Sequence, residues 1–403
     1  MASAGASRLL TLVVVTALWT LPAAAQAPPA TREAAIADAQ ARKVPTLHPY
    51  VPNKAEKIFE RVDSIIEGGS LRWHPFFESA YSGGGFTLGA GRAHFLSAYN
   101  LIDVRGSYTF TGYKRLEAEF IAPRLFNRRG SLSVLGGWRD ATQVGFYGLG
   151  IDTSQDDRTN YRFQQPYGSA LLEFFPLRQL LVFRGGVEFS RWSQEPGKGS
   201  FPSVETRYTP ASLPGLDAEV TYLHTQATVG LDSRTAPGYT RRGGFYGVTV
   251  HDYHDTDTEF GFRQVDYEAV QHIPVLRDAW VLSFRGRVQT VFDKDDQATP
   301  FFMLPAIGGG SSLRGFSSWR FRDDSALLLQ AEWRAIINRY LDLALFYDAG
   351  TVAARTADLD FDELKSDFGV GMRLHGPRVT PLRIEVAKGG EGFKLIFASS
   401  ASF

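Results

Sequence analysis

The sequence predicts an all-β protein: a 16-stranded antiparallel transmembrane β-barrel behind a short helical N-terminal segment. Three observations lead there. From residue 70 onward apolar and polar residues alternate with a period of two, which sends successive side chains to opposite faces of a strand. About sixteen such segments follow one another, each near the length of a tilted membrane strand, with no helix between them. Their connections alternate between short and long, as periplasmic turns and outer loops do.

The chain opens with Arg8 behind the free amine, an apolar run over residues 9–18, and Ala23-Ala24-Ala25 before Gln26. That order predicts a secretory signal peptide over 1–25, the run being short of the roughly 20 residues of a spanning helix. Residues 26–69 read as a short helical segment, periplasmic or lumenal. Helical sequence occupies 31–40 and then 53–67. In the latter, Asn53 caps with Glu56, and Ile58, Phe59, Val62, Ile65 and Ile66 form an apolar stripe that a barrel mouth could cover.

The barrel is expected over 70–403, with strands starting near residues 71, 84, 98, 114, 130, 158, 177, 216, 242, 257, 277, 324, 340, 366, 380 and 393. Two strands illustrate the pattern. Ile102, Val104 and Tyr108 alternate with Asp103, Arg105 and Ser107, and Trp280, Leu282, Phe284 and Val288 with Ser283, Arg285, Arg287 and Gln289. Connections at 175–178, 273–276 and 337–340 are short; those at 148–159, 194–213, 293–324 and 353–365 are long. The connection over 232–243 is long on the short side and breaks the pattern. Phe393, Phe397 and Phe403 share parity, which predicts that all three face lipid. A terminal aromatic also suits recognition by the barrel-assembly machinery during biogenesis.

Composition excludes other classes. Lys plus Arg and Asp plus Glu are 43 each, so no net field draws the chain to nucleic acid. The absence of cysteine removes disulfides and thiolate metal sites and suits an oxidising compartment. Aromatics at 13% and 40 glycines fit strands, turns and membrane interfaces, with outer-membrane lipid as the surrounding partner.

The longest loop carries Ile307-Gly308-Gly309-Gly310-Ser311-Ser312-Leu313-Arg314-Gly315-Phe316. It lacks the Lys-Ser/Thr of a phosphate-binding loop. Parity in the strands that follow puts Leu327, Leu329 and Trp333 toward lipid and Gln330, Glu332 and Arg334 toward the lumen. Likewise Asp342, Phe346 and Asp348, then Asp367, Arg373 and His375, and then Arg383 and Glu385, face inward. Carboxylates at Glu332, Asp348 and Glu385 could thus receive a guanidinium from the loop, with Arg373 and Arg383 as further lumenal charges. Parity alone is equally compatible with Arg314 at a solvated loop tip. His251, Asp252, His254 and Asp255 lack the geometry of a metal site, because His251 and His254 point to opposite faces of a strand. His224, His251 and His375 have no adjacent nucleophile. No metal, cofactor or enzymatic activity is expected.

These residues resemble a family. Leu313-Arg314-Gly315-Phe316 is similar to the hydrophobic-Arg-Gly-aromatic motif of the bacterial surface antigen superfamily, the BamA/TamA/FhaC-like barrels. Glu332-Trp333-Arg334 resembles its Glu-x-Arg strand, Phe346-Tyr347-Asp348-Ala349-Gly350 its Phe-x-Asp-x-Gly strand, and 369–373 with 381–383 its closing pair. Asp232-Ser233-Arg234 with Pro237 and Gly243 resembles a further turn motif, which accounts for the long connection there. The resemblance implies sixteen strands, a motif loop folded into the lumen, and Arg314 bonded to Glu332 and Asp348. It also implies protein insertion or translocation at the outer membrane, with nascent outer-membrane or exported proteins as partners. The alternative is an outer-membrane pore or lipid/small-solute channel without assembly activity. Two departures stand out: Thr380-Pro381-Leu382-Arg383-Ile384-Glu385 replaces Gly-Pro-x-Arg-x-Asp, and residues 26–69 are too short for a POTRA repeat of roughly 55 residues.

Overall fold

Alternating side chains give a strand one face for lipid and one for water, and in a bilayer a sheet escapes unpaired edges only by curving onto itself. The computed structural model describes residues 31–43, 72–177, 180–276 and 278–403. The expected signal peptide and the 53–67 helix lie outside the described residues. In the N-terminal unit, α1 (Arg32–Lys43) begins where Thr31 Oγ1 accepts the Ala34 amide at 3.1 Å and ends with Arg42 and Lys43, which complement the helix dipole.

The second unit is built from strands. β1 (Trp73–Pro75), β2 (Thr87–Phe95), β3 (Leu101–Thr109), β4 (Lys114–Leu125), β5 (Gly130–Phe146) and β6 (Thr159–Phe174) come first. They are followed by β7 (Leu181–Pro196), β8 (Glu219–Asp232), β9 (Gly243–Asp255), β10 (Phe262–Val275) and β11 (Trp280–Asp293). The long loop then forms its own two-stranded sheet from β12 (Ala306–Ile307) and β13 (Phe321–Arg322). β14 (Ser325–Ile336), β15 (Leu341–Ala353), β16 (Lys365–Leu374), β17 (Leu382–Gly389) and β18 (Gly392–Ala398) complete the wall. β1–β11 and β14–β18 make one 16-stranded sheet in sequence order, each strand antiparallel to the next where pairings are formed. Every strand of this sheet begins within five residues of its expected position. Among the described residues there is no unit of three strands and two helices.

Outward-facing apolar side chains such as Tyr108, Phe284, Leu345, Tyr347, Phe368 and Val370 stay exposed to the surroundings, whereas inward polar ones such as Asp348, Arg373 and Glu385 are buried. Lipid rather than a second layer covers the wall. At the outer end an aromatic cluster containing Phe146, Tyr161, Phe163, Trp192, Phe262, Phe301 and Phe302 fills the mouth. The 232–243 connection folds at the inner end, where Tyr239 donates to Asp342 Oδ2 at 2.9 Å and Thr380 Oγ1 donates to the Gly238 carbonyl at 3.0 Å. Its extra length thereby reaches β15 and the β16–β17 turn.

Phe393 and Phe397 are exposed on the outer face, but Phe403 requires a correction. The last strand ends at Ala398, so parity no longer governs the five residues beyond it. Phe403 instead packs with Phe175 against buried Val182, Phe245 and Val270 and stacks on His272. The chain end therefore turns away from lipid, into the lumen.

Candidate functional site in the barrel lumen

The loop between β11 and β14 can enter the lumen because of its glycines. Gly308 and Gly309 adopt φ of +122° and +96°, which side-chain-bearing residues rarely do, and the turn closes with the Gly309 amide donating to the Leu313 carbonyl at 3.0 Å. Leu313 and Phe316 then pack with Ile307, Phe321, Leu328 and Val352 in a lumenal cluster. Gly315 lies against β16 and β17, where a Cβ would come within 2.5 Å of Asp367 Cβ and 2.6 Å of the Gly389 nitrogen. Only hydrogen fits there.

This seating carries Arg314, 1% exposed, onto the wall of β14–β17. Its Nε and Nη2 donate in bidentate fashion to Asp348 at 2.7 and 2.8 Å; Nη1 donates to Glu385 at 3.1 Å and Glu332 at 3.3 Å. The guanidinium carbon sits 3.5 Å from the centre of the Phe346 ring. Burial opposes its charge, but Asp348, with Glu332 and Glu385, holds the proton more firmly than in ordinary arginine.

Arg373 Nη2 donates to Glu332 at 2.5 Å and Glu385 at 2.6 Å, and Arg383 Nη1 donates to Glu385 at 3.0 Å. The guanidinium groups of Arg314, Arg373 and Arg383 thus meet the three carboxylates, with Arg334 a further cation 3.8 Å from Glu332, where water is scarce. Gln330 fixes both sides, donating to Asp348 and to the Ser312 carbonyl. Ser402 of the chain end donates to Glu332 at 2.8 Å and accepts from Arg373 at the same distance.

Further along the loop lies a second anchor that sequence reasoning missed. Ser317 donates twice to Glu391 in the β17–β18 turn, at 2.9 and 2.7 Å, and Arg320 donates to Glu391 at 2.6 Å and to the Thr153 carbonyl at 2.5 Å. Burial raises the Glu391 pKa, but the Ser317 and Arg320 hydrogen bonds prevail and hold it below the ordinary glutamate value. Trp319 donates to the Ser82 carbonyl at 2.9 Å and stacks on Tyr81. The loop therefore touches the segment after β1 and the hairpin of β17 and β18, at both ends of the sheet order. No spacing rule connects Ser82, Thr153 and Glu391.

The histidine-rich stretch serves other contacts. Asp255 accepts backbone amides of Asp257, Glu259 and Phe260 and so caps the β9–β10 turn, while His251 lies 3.0 Å from His224. Among the described residues no group of three or more His, Cys, Asp or Glu side chains is arranged to hold a metal ion.

Comparison with known proteins bears on the whole assembly. No curated protein matches the chain by sequence. Among solved structures, BamA from Haemophilus ducreyi lacking POTRA domains 1–3 matches with a TM-score of 0.57 at 15% identity, covering 81% of this chain and 68% of that one. CdiB from Escherichia coli matches with a TM-score of 0.52 at 11% identity, covering 81% of this chain and 60% of that one. At these identities the likeness is one of fold. The Omp85 superfamily domain model matches residues 100–392, which takes in the wall from β3 through β17 and the entire lumenal loop. A bacterial outer-membrane barrel with that span of sequence belongs to the Omp85 superfamily.

Proposed function

We propose that this barrel inserts or translocates proteins at the outer membrane, with the Leu313-Arg314-Gly315-Phe316 loop as the brace that holds its wall in the working shape. The observation that carries this reading is the pair of loop anchors. One, at Arg314, grips β14, β15 and β17; the other, through Trp319 and Glu391, spans the first and last parts of the sheet. β1 contributes only three paired residues, so the first edge of the sheet offers main-chain groups to an incoming strand. BamA and CdiB barrels share this fold, which supports a partner of the same kind: nascent outer-membrane or exported protein.

The test is photocrosslinking in intact cells from Trp73 and Leu395, both outward-facing on the first and last strands. Captured nascent barrel or exported proteins are the expected result. Adducts with lipid alone, together with ion conductance in planar bilayers and normal levels of other barrels after depletion, would replace this reading with a pore or lipid/small-solute channel. A cavity of about 430 Å³ lined by Arg139, Arg285 and Arg287 favours that second reading, whereas the aromatic cluster in the outer mouth opposes free conduction.

A further inference from the structure

The chain is neutral overall, yet its charge is unevenly placed. The turns of the inner, short-turn end occupy residues 96–100, 126–129, 175–180, 233–242, 276–279, 337–340 and 375–381. The described residues of these turns contain seven arginines, no lysine and a single acidic residue, Asp278. Arg128, Arg129, Arg242, Arg339 and Arg378 are exposed. Among the described residues no carboxylate lies within ion-pair distance of Arg128, Arg129 or Arg378, and Asp278 stands 3.6 Å from Arg242.

Apolar side chains are interleaved with these charges. Exposed Phe126 precedes Arg128, exposed Ile337 precedes Arg339, and exposed Val379 follows Arg378. The turns joining β4 to β5 and β14 to β15 span only four residues each, so their arginines remain at the end of the lipid-facing wall. Apolar groups beside guanidinium groups at that level match the boundary between acyl chains and headgroups, and arginine pairs with phosphate in bidentate geometry. An acidic protein partner would match the charge but not the exposed apolar neighbours.

We propose that the inner rim is a binding surface for anionic phospholipid headgroups of the periplasmic leaflet, a collar that selects phosphatidylglycerol-type lipids around the barrel. This collar is independent of what the lumen does.

The experiment is electron spin resonance on the full chain reconstituted in phosphatidylcholine vesicles containing spin-labelled phosphatidylglycerol or spin-labelled phosphatidylcholine. The wild-type barrel should immobilise the anionic label in roughly twofold to fivefold excess, falling toward parity as salt is raised. The variant Arg128→Gln/Arg129→Gln/Arg339→Gln/Arg378→Gln should lose the excess, whereas Arg207→Gln/Arg355→Gln at the outer end should retain it. Equal immobilisation of both labels by the wild type, an excess insensitive to salt, or an excess preserved in the fourfold variant would overturn the proposal. The wild-type salt series decides the matter even if the fourfold variant does not fold.

Discussion

Replacing Arg314 by alanine removes a cation that touches three buried carboxylates and an aromatic ring. Asp348 loses its two shortest bonds and keeps only the Gln330 amide at 3.1 Å among its side-chain hydrogen-bond donors, while Glu332 and Glu385 still share Arg373. Breaking a buried ion pair by removing one partner costs about 3–5 kcal/mol, because the remaining charge stays buried and unpaired. Asp348→Ala strands the guanidinium less completely, since Glu332 and Glu385 remain within 3.3 Å, and should cost about 2–4 kcal/mol. If each variant loses the same contact, the double variant should be no worse than Arg314→Ala, a coupling equal to the Asp348→Ala cost, about 2–4 kcal/mol. Arg314→Lys should recover little, having neither the planar fork for Asp348 nor the guanidinium stacking on Phe346. The measurement is urea unfolding of the refolded barrel in vesicles, followed by tryptophan fluorescence for all four members of the cycle. Losses that add within about 0.5 kcal/mol would refute the pairing as the brace of the loop.

Other outcomes follow from neighbouring contacts. Glu391→Ala should release Ser317 from the β17–β18 turn and leave Arg320 only its Thr153 bonds, at a cost of about 1–3 kcal/mol, with faster cleavage after Arg320 by trypsin in limited proteolysis. Gly315→Ala should cost about 1–3 kcal/mol in the same unfolding assay, because its methyl would meet Asp367 and the Gly389 backbone; Gly390→Ala, whose methyl would approach only Phe316 at 3.6 Å, should be nearly neutral. Asp324, between β13 and β14, has its pKa raised to about 6 by burial and then by Asp323 and Asp293, against an ordinary 3.8. Its contribution is therefore most favourable below about pH 4 and is lost as pH rises through 6, so Asp324→Asn should raise the thermal midpoint by about 1–3 °C at pH 8 and leave it unchanged at pH 4.

The wall was legible because a barrel strand has only two faces and lipid penalises the wrong one. Tyr347 beside Asp348, or Phe368 beside Asp367, states the orientation of a strand in two residues. Parity also sorts Glu332, Asp348 and Glu385 to one face, but it is silent on how far the preceding loop descends. That depth depends on Gly308 and Gly309 turning the chain, on Gly315 fitting beneath the wall, and on Leu313 and Phe316 finding an apolar patch of Ile307, Leu328 and Val352. Alternation fails as soon as a strand stops, which is why Phe403 enters the lumen although it shares parity with Phe397. The anchors at Ser82, Thr153 and Glu391 depend on the curvature of the sheet, joining residues up to 237 positions apart that meet only once it has wrapped around the loop. The Arg314 cluster, by contrast, draws its carboxylates from β14, β15 and β17, near one another in the sheet order. The two anchors therefore stabilise different things: Arg314 fixes the loop to one arc of the wall, and Trp319 with Glu391 ties that arc to the start of the sheet. A variant that breaks only the second anchor should loosen the loop's hold on Ser82 and on the β17–β18 hairpin while Arg314 stays seated.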